Sequence, residues 1–144
     1  MERYAIGIDL GGTSVKYAVV ASSGKMPFSG QLPAFAQESA EAVLGQVLKG
    51  VEACREYAVS EGLMLAGVGV GTPGVVSADG RTVLGGAENI AGWENIPLAG
   101  RVEEVRKLVY TCLSYELTNF GNSRVILHLE HKTIHLILCH KFFL

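Results

Sequence analysis

The chain is 144 residues long, 49% hydrophobic and 18% charged, with a formal net charge of −2. That is about one domain by length, able to bury roughly 68–70% of its unfolded surface. The composition argues against a disordered or collagen-like chain, and the near-balanced charge argues against a dominant nucleic-acid field.

Tyr4, Ile6, Ile8 and Leu10 alternate with Ala5, Gly7 and Asp9. This is the period of a strand with one bulky apolar face and one face of small residues ending in a carboxylate. Gly11-Gly12-Thr13 is expected to turn the chain, because adjacent glycines reach positive φ at little cost, and Val15 to Val20 returns as the second strand of a hairpin. Ser22-Ser23-Gly24 makes a second turn into a third strand over Lys25 to Leu32, weakened by Pro27. Between Ser39 and Ser60 the period becomes helical, with Leu44, Val47, Leu48, Val51, Cys54 and Ala58 three and four apart. Ser39 is placed to cap this helix and Gly62 to close it. Gly45 and Gly50 weaken it by up to ~1 kcal/mol each relative to Ala, which close packing on a sheet would explain. Leu65 to Val70 reads as a buried strand running into the loop Gly71-Thr72-Pro73-Gly74. Strands, a helix and a further strand make a mixed α/β lobe.

Three segments could carry chemistry. In Asp9-Leu-Gly-Gly-Thr-Ser-Val-Lys16, small side chains would let backbone N–H groups approach phosphate oxygens, and a carboxylate could hold Mg²⁺ directly or through water. An ordinary hairpin turn beside a carboxylate would look the same. Gly69-Val-Gly-Thr-Pro-Gly74 sets a second glycine-rich loop at a strand end. Glu88-Asn89 precedes Trp93, the sole tryptophan; carboxylate and amide suit sugar hydroxyls and an indole can wall a pocket, while the plainer reading is a polar loop pinned by a buried Trp.

In this order the segments Ile6-Gly-Ile-Asp-Leu-Gly-Gly-Thr-Ser-Val-Lys16, Gly67-Val-Gly-Val-Gly-Thr-Pro-Gly74 and Glu88-Asn-Ile-Ala-Gly-Trp-Glu-Asn-Ile-Pro-Leu98 resemble the ROK family of sugar kinases and related repressors, over about the first hundred residues. The resemblance implies an actin-like, ribonuclease-H-like lobe that binds ATP and Mg²⁺ and passes the γ-phosphoryl group to a hydroxyl of a hexose or N-acylhexosamine. By the same resemblance Asp9 lies near the metal, Gly11, Gly12, Thr13 and Lys16 shape the phosphate loop, and Gly74, Glu88 and Asn89 face the sugar. It also carries two other possibilities, a sugar-responsive regulator and a non-catalytic actin-like nucleotide-binding module. The regulator is disfavoured because a nucleotide strand starts at Tyr4 with no helix-turn-helix ahead of it.

Composition changes after Glu104. Residues 1–104 hold seventeen of eighteen glycines, all four prolines and no histidine, whereas 105–144 hold one glycine, no proline and all four histidines. Residues 1–104 are therefore taken as the nucleotide- and sugar-binding lobe, and 105–144 as an atypical tail. The family's Asp-Asn-Asp-Ala-like run, whose second aspartate accepts the hydroxyl proton, is expected after Val105 and is not there; the chain's two aspartates are Asp9 and Asp79. No catalytic residue is therefore assigned, and truncation, a reading-frame change or a gene-model error is the expected cause. His128, His131 and His135 would share a helix face, but Val125-Ile-Leu and Ile134 to Leu138 favour extended chain, so no metal site is assigned to them. The apolar runs of the tail are expected to self-associate where they are exposed. Three scattered cysteines without a CxxC pair, and no leader-like N-terminus, point to the cytoplasm. Charges break up the apolar tail before the ~18 residues a membrane helix needs. The expected partners are thus a sugar, ATP with Mg²⁺ and further copies of the chain, with no membrane and no nucleic acid.

Overall fold

A computed structural model describes residues 2–105, and by their backbone 110–115, 125–129 and 132–136. Strand β1 (Tyr4–Leu10) pairs antiparallel with β2 (Ser14–Ala21), and β2 antiparallel with β3 (Phe28–Pro33). Helix α1 (Ala40–Ser60) then carries the chain back, so that β4 (Leu65–Pro73) lies parallel to β1 on its other side. A small hairpin of β5 (Val75–Val76) and β6 (Val83–Gly85) follows, then the short helix α2 (Leu98–Glu104). Strand β7 (Tyr110–Tyr115) pairs parallel with β4 and completes a five-stranded sheet of order β3-β2-β1-β4-β7. Strands β8 (Val125–Leu129) and β9 (Lys132–Leu136) form a separate hairpin. His128 and His135 thus sit on extended chain, while His131 and His140 lie outside the described residues.

The two faces of β1 divide as their alternation predicts. Tyr17 is the register partner of Ile8 and Gly30, and a Cβ on Gly50 of α1 would come within 3.1 Å of the Tyr17 ring. The bulky set that shares this face, Ile6, Ile8, Leu10, Val15, Val19, Val68 and Val70, therefore packs under α1 and is fully buried. Leu44, Val47, Val51 and Cys54 meet it from the helix. Each buried Val or Leu contributes about 1.5–3 kcal/mol by removal from water. Gly50 is explained by this contact, which leaves no room for a side chain without moving Tyr17. Gly45 meets nothing, and nothing in the fold accounts for it.

Helix ends follow their local signals. The Ser39 side chain accepts a hydrogen bond from the Ala42 N–H at 3.1 Å, and Gly62 takes a positive φ of 66° after the last turn. Strand ends depart more from expectation. Strand β3 begins at Phe28 rather than Lys25, because the turn closes through Ala21 N–H to the Lys25 carbonyl and Pro27 has no N–H to donate. Strand β4 runs on to Pro73, since β1 and β7 flank it and pair with Gly71.

Beyond β4 the loop is held by one buried polar contact. The Trp93 indole N–H donates to Thr72 Oγ1 at 2.8 Å, and that hydroxyl lies 3.1 Å from the Pro73 carbonyl, to which it donates. Trp93 is 2% exposed, so it pins the loop to the sheet and does not line an open pocket. Gly74 adopts φ 98°, and a Cβ there would come within 2.5 Å of the Gly85 carbonyl oxygen.

Replacing Thr72 by Val leaves a buried indole N–H unpaired and is expected to cost about 1–3 kcal/mol, whereas Thr72→Ser keeps the acceptor. Thermal melts of both variants test this; equal melting temperatures would show that the bond contributes nothing. Burial also pushes the Cys54 thiol up to about 12. The native state keeps this proton where an unfolded thiol, near about 8.5, has lost it. The stability so gained is complete below the unfolded value and disappears as pH rises towards the folded one. Urea unfolding on the alkaline side should therefore show a shallower loss of stability with pH in Cys54→Ala than in the parent chain.

Candidate functional site

Parallel strands β1 and β4 end side by side, and β1 has an antiparallel neighbour on its other flank. In open α/β sheets the crevice beyond the carboxyl ends of such strands is where ligands bind. Asp9 stands one residue from the end of β1, on the small-residue face, half-buried. Its register partners are Lys16 across the hairpin and Gly71 across the parallel pair. Directly opposed residues have Cβ atoms about 4.5–5.5 Å apart, so the Asp9 and Lys16 side chains leave the sheet from adjacent positions, and Gly71 adds no side chain on the third strand.

The hairpin tip is tight. The Gly11 N–H donates to the Ser14 carbonyl at 2.9 Å, and a Cβ on Gly11 would sit 3.3 Å from that same oxygen. Gly12 and Thr13 are exposed, and the Thr13 carbonyl accepts from the Ala34 N–H at 2.9 Å. Neither Gly11 nor Gly12 has a positive φ. The expected conformational reason for the glycine pair is therefore replaced by a steric one. A Cβ on Gly12 would come within 2.8 Å of Asn89 Nδ2, so the glycine makes room for the amide.

That contact joins two segments 77 positions apart in the sequence. The loop carrying Glu88 and Asn89 is anchored by buried Ile90 and Trp93 and tied to the chain before α1. The Gln37 side-chain amide donates to the Asn89 carbonyl at 3.1 Å, and the Ala91 N–H to the Ala36 carbonyl at 2.7 Å. Glu88 is exposed beside Asn89. Gln37 carries no sequence signal, since its partner is 52 residues away. Gly74 is half-buried in the turn after β4, and its contact with Gly85 already accounts for its being glycine.

Asp79 is committed elsewhere. It accepts from the Ser77 hydroxyl at 2.6 Å and the Arg81 N–H at 3.1 Å, and these bonds hold its carboxyl below the usual range. Among the described residues no group of three or more His, Cys, Asp or Glu could hold a metal by itself. A single carboxylate such as Asp9 suits Mg²⁺, which keeps several waters and is held chiefly through substrate phosphates. Among the described residues no helix is long and apolar enough to cross a membrane.

A family model, described as the ROK family, matches residues 5–113. A glucokinase from Halalkalibacterium halodurans is 27% identical over 107 residues, which are 74% of this chain and 32% of that protein. The crystal structure of a ROK family glucokinase from Streptomyces griseus, in complex with glucose and AMPPNP, superposes with a TM-score of 0.65 at 25% identity, over 85% of this chain and 40% of that one. A ROK family transcriptional regulator, homologous to the E. coli MLC protein, shares the fold with a TM-score of 0.66 at 14% identity, over 85% of this chain and 33% of that one. The chain spans about a third of the length of the glucokinase it matches. Its mixed sheet with flanking helices is the actin-like fold of these sugar kinases. With a model matching well over half of its residues, the chain belongs to the ROK family.

Proposed function

We propose that this chain is the nucleotide- and sugar-binding lobe of an ATP-dependent kinase acting on a hydroxyl of a hexose or N-acylhexosamine. The observation that carries the reading is the contact of Gly12 with Asn89, beside the register pair of Asp9 and Lys16. A cradle for phosphates and a loop suited to sugar hydroxyls would then share one wall. The γ-phosphoryl group and the accepting hydroxyl would be close enough for in-line transfer, a reaction that depends mainly on positioning and charge neutralisation.

The roles follow from side-chain chemistry. Asp9 would hold Mg²⁺ through its waters or directly, and the metal, when bound, would supply charge neutralisation at the β- and γ-phosphates. Lys16 would complement phosphate charge, and the backbone N–H groups of Gly12 and Thr13 would donate to phosphate oxygens. Gly74, Glu88 and Asn89 would border the sugar, the carboxylate accepting from hydroxyls and the amide both donating and accepting. Gln37 would act as a positioning residue through the Asn89 carbonyl. A site of this kind works in the cytoplasm, where ATP is available.

The family's proton-accepting aspartate has no counterpart among the described residues, since Asp79 is held in its own turn. General-base help is worth about 10²- to 10⁴-fold, so this chain is expected to bind and not to turn over alone. Residues 1–104 are taken as the binding lobe and 105–144 as a stretch of different character, within which β7 still closes the sheet.

Calorimetric titration with ATP, with and without Mg²⁺, and with glucose, N-acetylglucosamine and N-acetylmannosamine tests the reading. The expected result is Mg²⁺-dependent nucleotide binding that weakens about 10- to 100-fold in Asp9→Asn, the loss of one charge-assisted contact. Asn89→Ala should weaken the sugar by a similar factor and leave the nucleotide untouched. Nucleotide binding without any sugar would favour the actin-like module, sugar binding without nucleotide the regulator, and neither would overturn the site.

A further inference from the structure

We propose that a second copy of this chain docks on the free edge of β3, extending the five-stranded sheet into a continuous ten-stranded one across a twofold axis at Gly30. Among the described residues no strand lies beyond β3. The direction of its backbone groups follows from one bond. Ala34 N–H donates to the Thr13 carbonyl at 2.9 Å, so Ala34 belongs to the inward-facing set, as do Leu32, Gly30 and Phe28. The outward set within β3 is Ser29, Gln31 and Pro33, with Pro27 in the bend just ahead of it. Pro33 thus occupies a position where a missing N–H leaves the ladder with β2 intact, and the outward donors of the strand are the N–H groups of Ser29 and Gln31.

An edge with two donors and two prolines admits few partners, and itself is one of them. Paired antiparallel about Gly30, Ser29 of each copy meets Gln31 of the other, and the two pairs exchange four hydrogen bonds that use every outward donor. The Pro33 carbonyl is already engaged by the Gln46 side-chain amide at 2.8 Å, which disfavours a register shifted towards it. A shift the other way would set Phe28 opposite glycine, whereas the symmetric register sets Phe28 opposite Leu32 of the second copy. Side chains at 29 and 31 are polar and exposed on the other face, so they match as well. The central Gly30 pair leaves room for close approach, and the Tyr17 ring lies where a Gly30 side chain would be, covering the edge glycine in each copy.

No charge within the strand opposes pairing. Natural edges are protected by inward or flanking charges, especially lysine, and β3 from Phe28 to Pro33 has none. The net charge of −2 adds little repulsion between copies. Helix α1 packs over β1, β2 and β3. Strands spaced about 4.8 Å apart put a helix centred over β2 about 7 Å from the axis. The two copies of α1 are then about 14 Å apart, beyond the 8–10 Å of packed helices, and do not clash.

Sedimentation of the full chain from micromolar to near-millimolar concentration tests this, with Gln31→Pro and the double variant Ser29→Pro/Gln31→Pro beside it. The parent chain should dimerise, Gln31→Pro should weaken the dimer about tenfold or more by removing two of four bonds, and the double variant should lose this dimer with an unchanged circular dichroism spectrum. Hydrogen exchange on the parent chain is the second readout, and it decides should the proline variants fail to fold. Ser29 and Gln31 amides should become protected as concentration rises, while those of Ser23 and Gly24 should not. A parent chain that stays monomeric, a dimer that survives both prolines, or edge amides indifferent to concentration would each overturn the proposal. None of these readouts depends on a nucleotide or a sugar.

Discussion

Parallel pairing of β1 with β4 decides where everything else in this molecule can be. Two strands running the same way end on the same side, so the loops after Leu10 and after Pro73 must lie next to each other. The crossover that parallel pairing requires is α1, and it covers the bulky face of β1 and leaves the small face to Gly7 and Asp9. Had β4 paired antiparallel, the loop from Gly74 to Trp93 would leave from the far end of the sheet, and Asn89 could not reach Gly12. The site is thus a consequence of strand direction before it is a matter of side chains.

Much of this was legible in the residues because the signals are local. The alternation Tyr4 to Leu10 assigns Asp9 to the face opposite Ile8, and the register with Lys16 and Gly71 bears that out. The helix from Ser39 to Ser60, its serine cap and its closing glycine depend on contacts within four residues, and all three are found. The plainer reading of Trp93, a buried pin, is the one the Thr72 bond supports. What escaped sequence is what depends on distant partners. The length of β4 is set by β1 and β7, neither of which its own residues announce. Gln37 looks like any exposed polar residue until the Asn89 carbonyl arrives beside it.

Glycine illustrates the same boundary. A turn glycine is recognised by the backbone angle it permits, and Gly62, Gly74 and Gly92 do take positive φ. Gly12 and Gly50 do not; each is small because another side chain, Asn89 or Tyr17, lies in the space a Cβ would need. No single-chain pattern distinguishes the two kinds, yet they have opposite consequences. A residue at the first kind strains its own backbone, whereas one at the second displaces a neighbour. At Gly12 that neighbour is a candidate ligand-binding group.

Binding at the strand ends and pairing at the strand edge use different parts of one sheet. The proposed cradle would lie beyond the ends of β1 and β4, while the edge of β3 is two strands away, so occupation of one would not require the other to change. The Thr13 to Ala34 bond is nevertheless shared between them, since it ends the β2–β3 ladder and braces the hairpin that carries Gly11 and Gly12. Stiffening β3 by a second copy would stiffen the anchor of that hairpin. A backbone cradle that is ordered before its ligand arrives loses less conformational freedom on binding. Association at the edge would then favour the site through rigidity alone, without a residue of either copy reaching across.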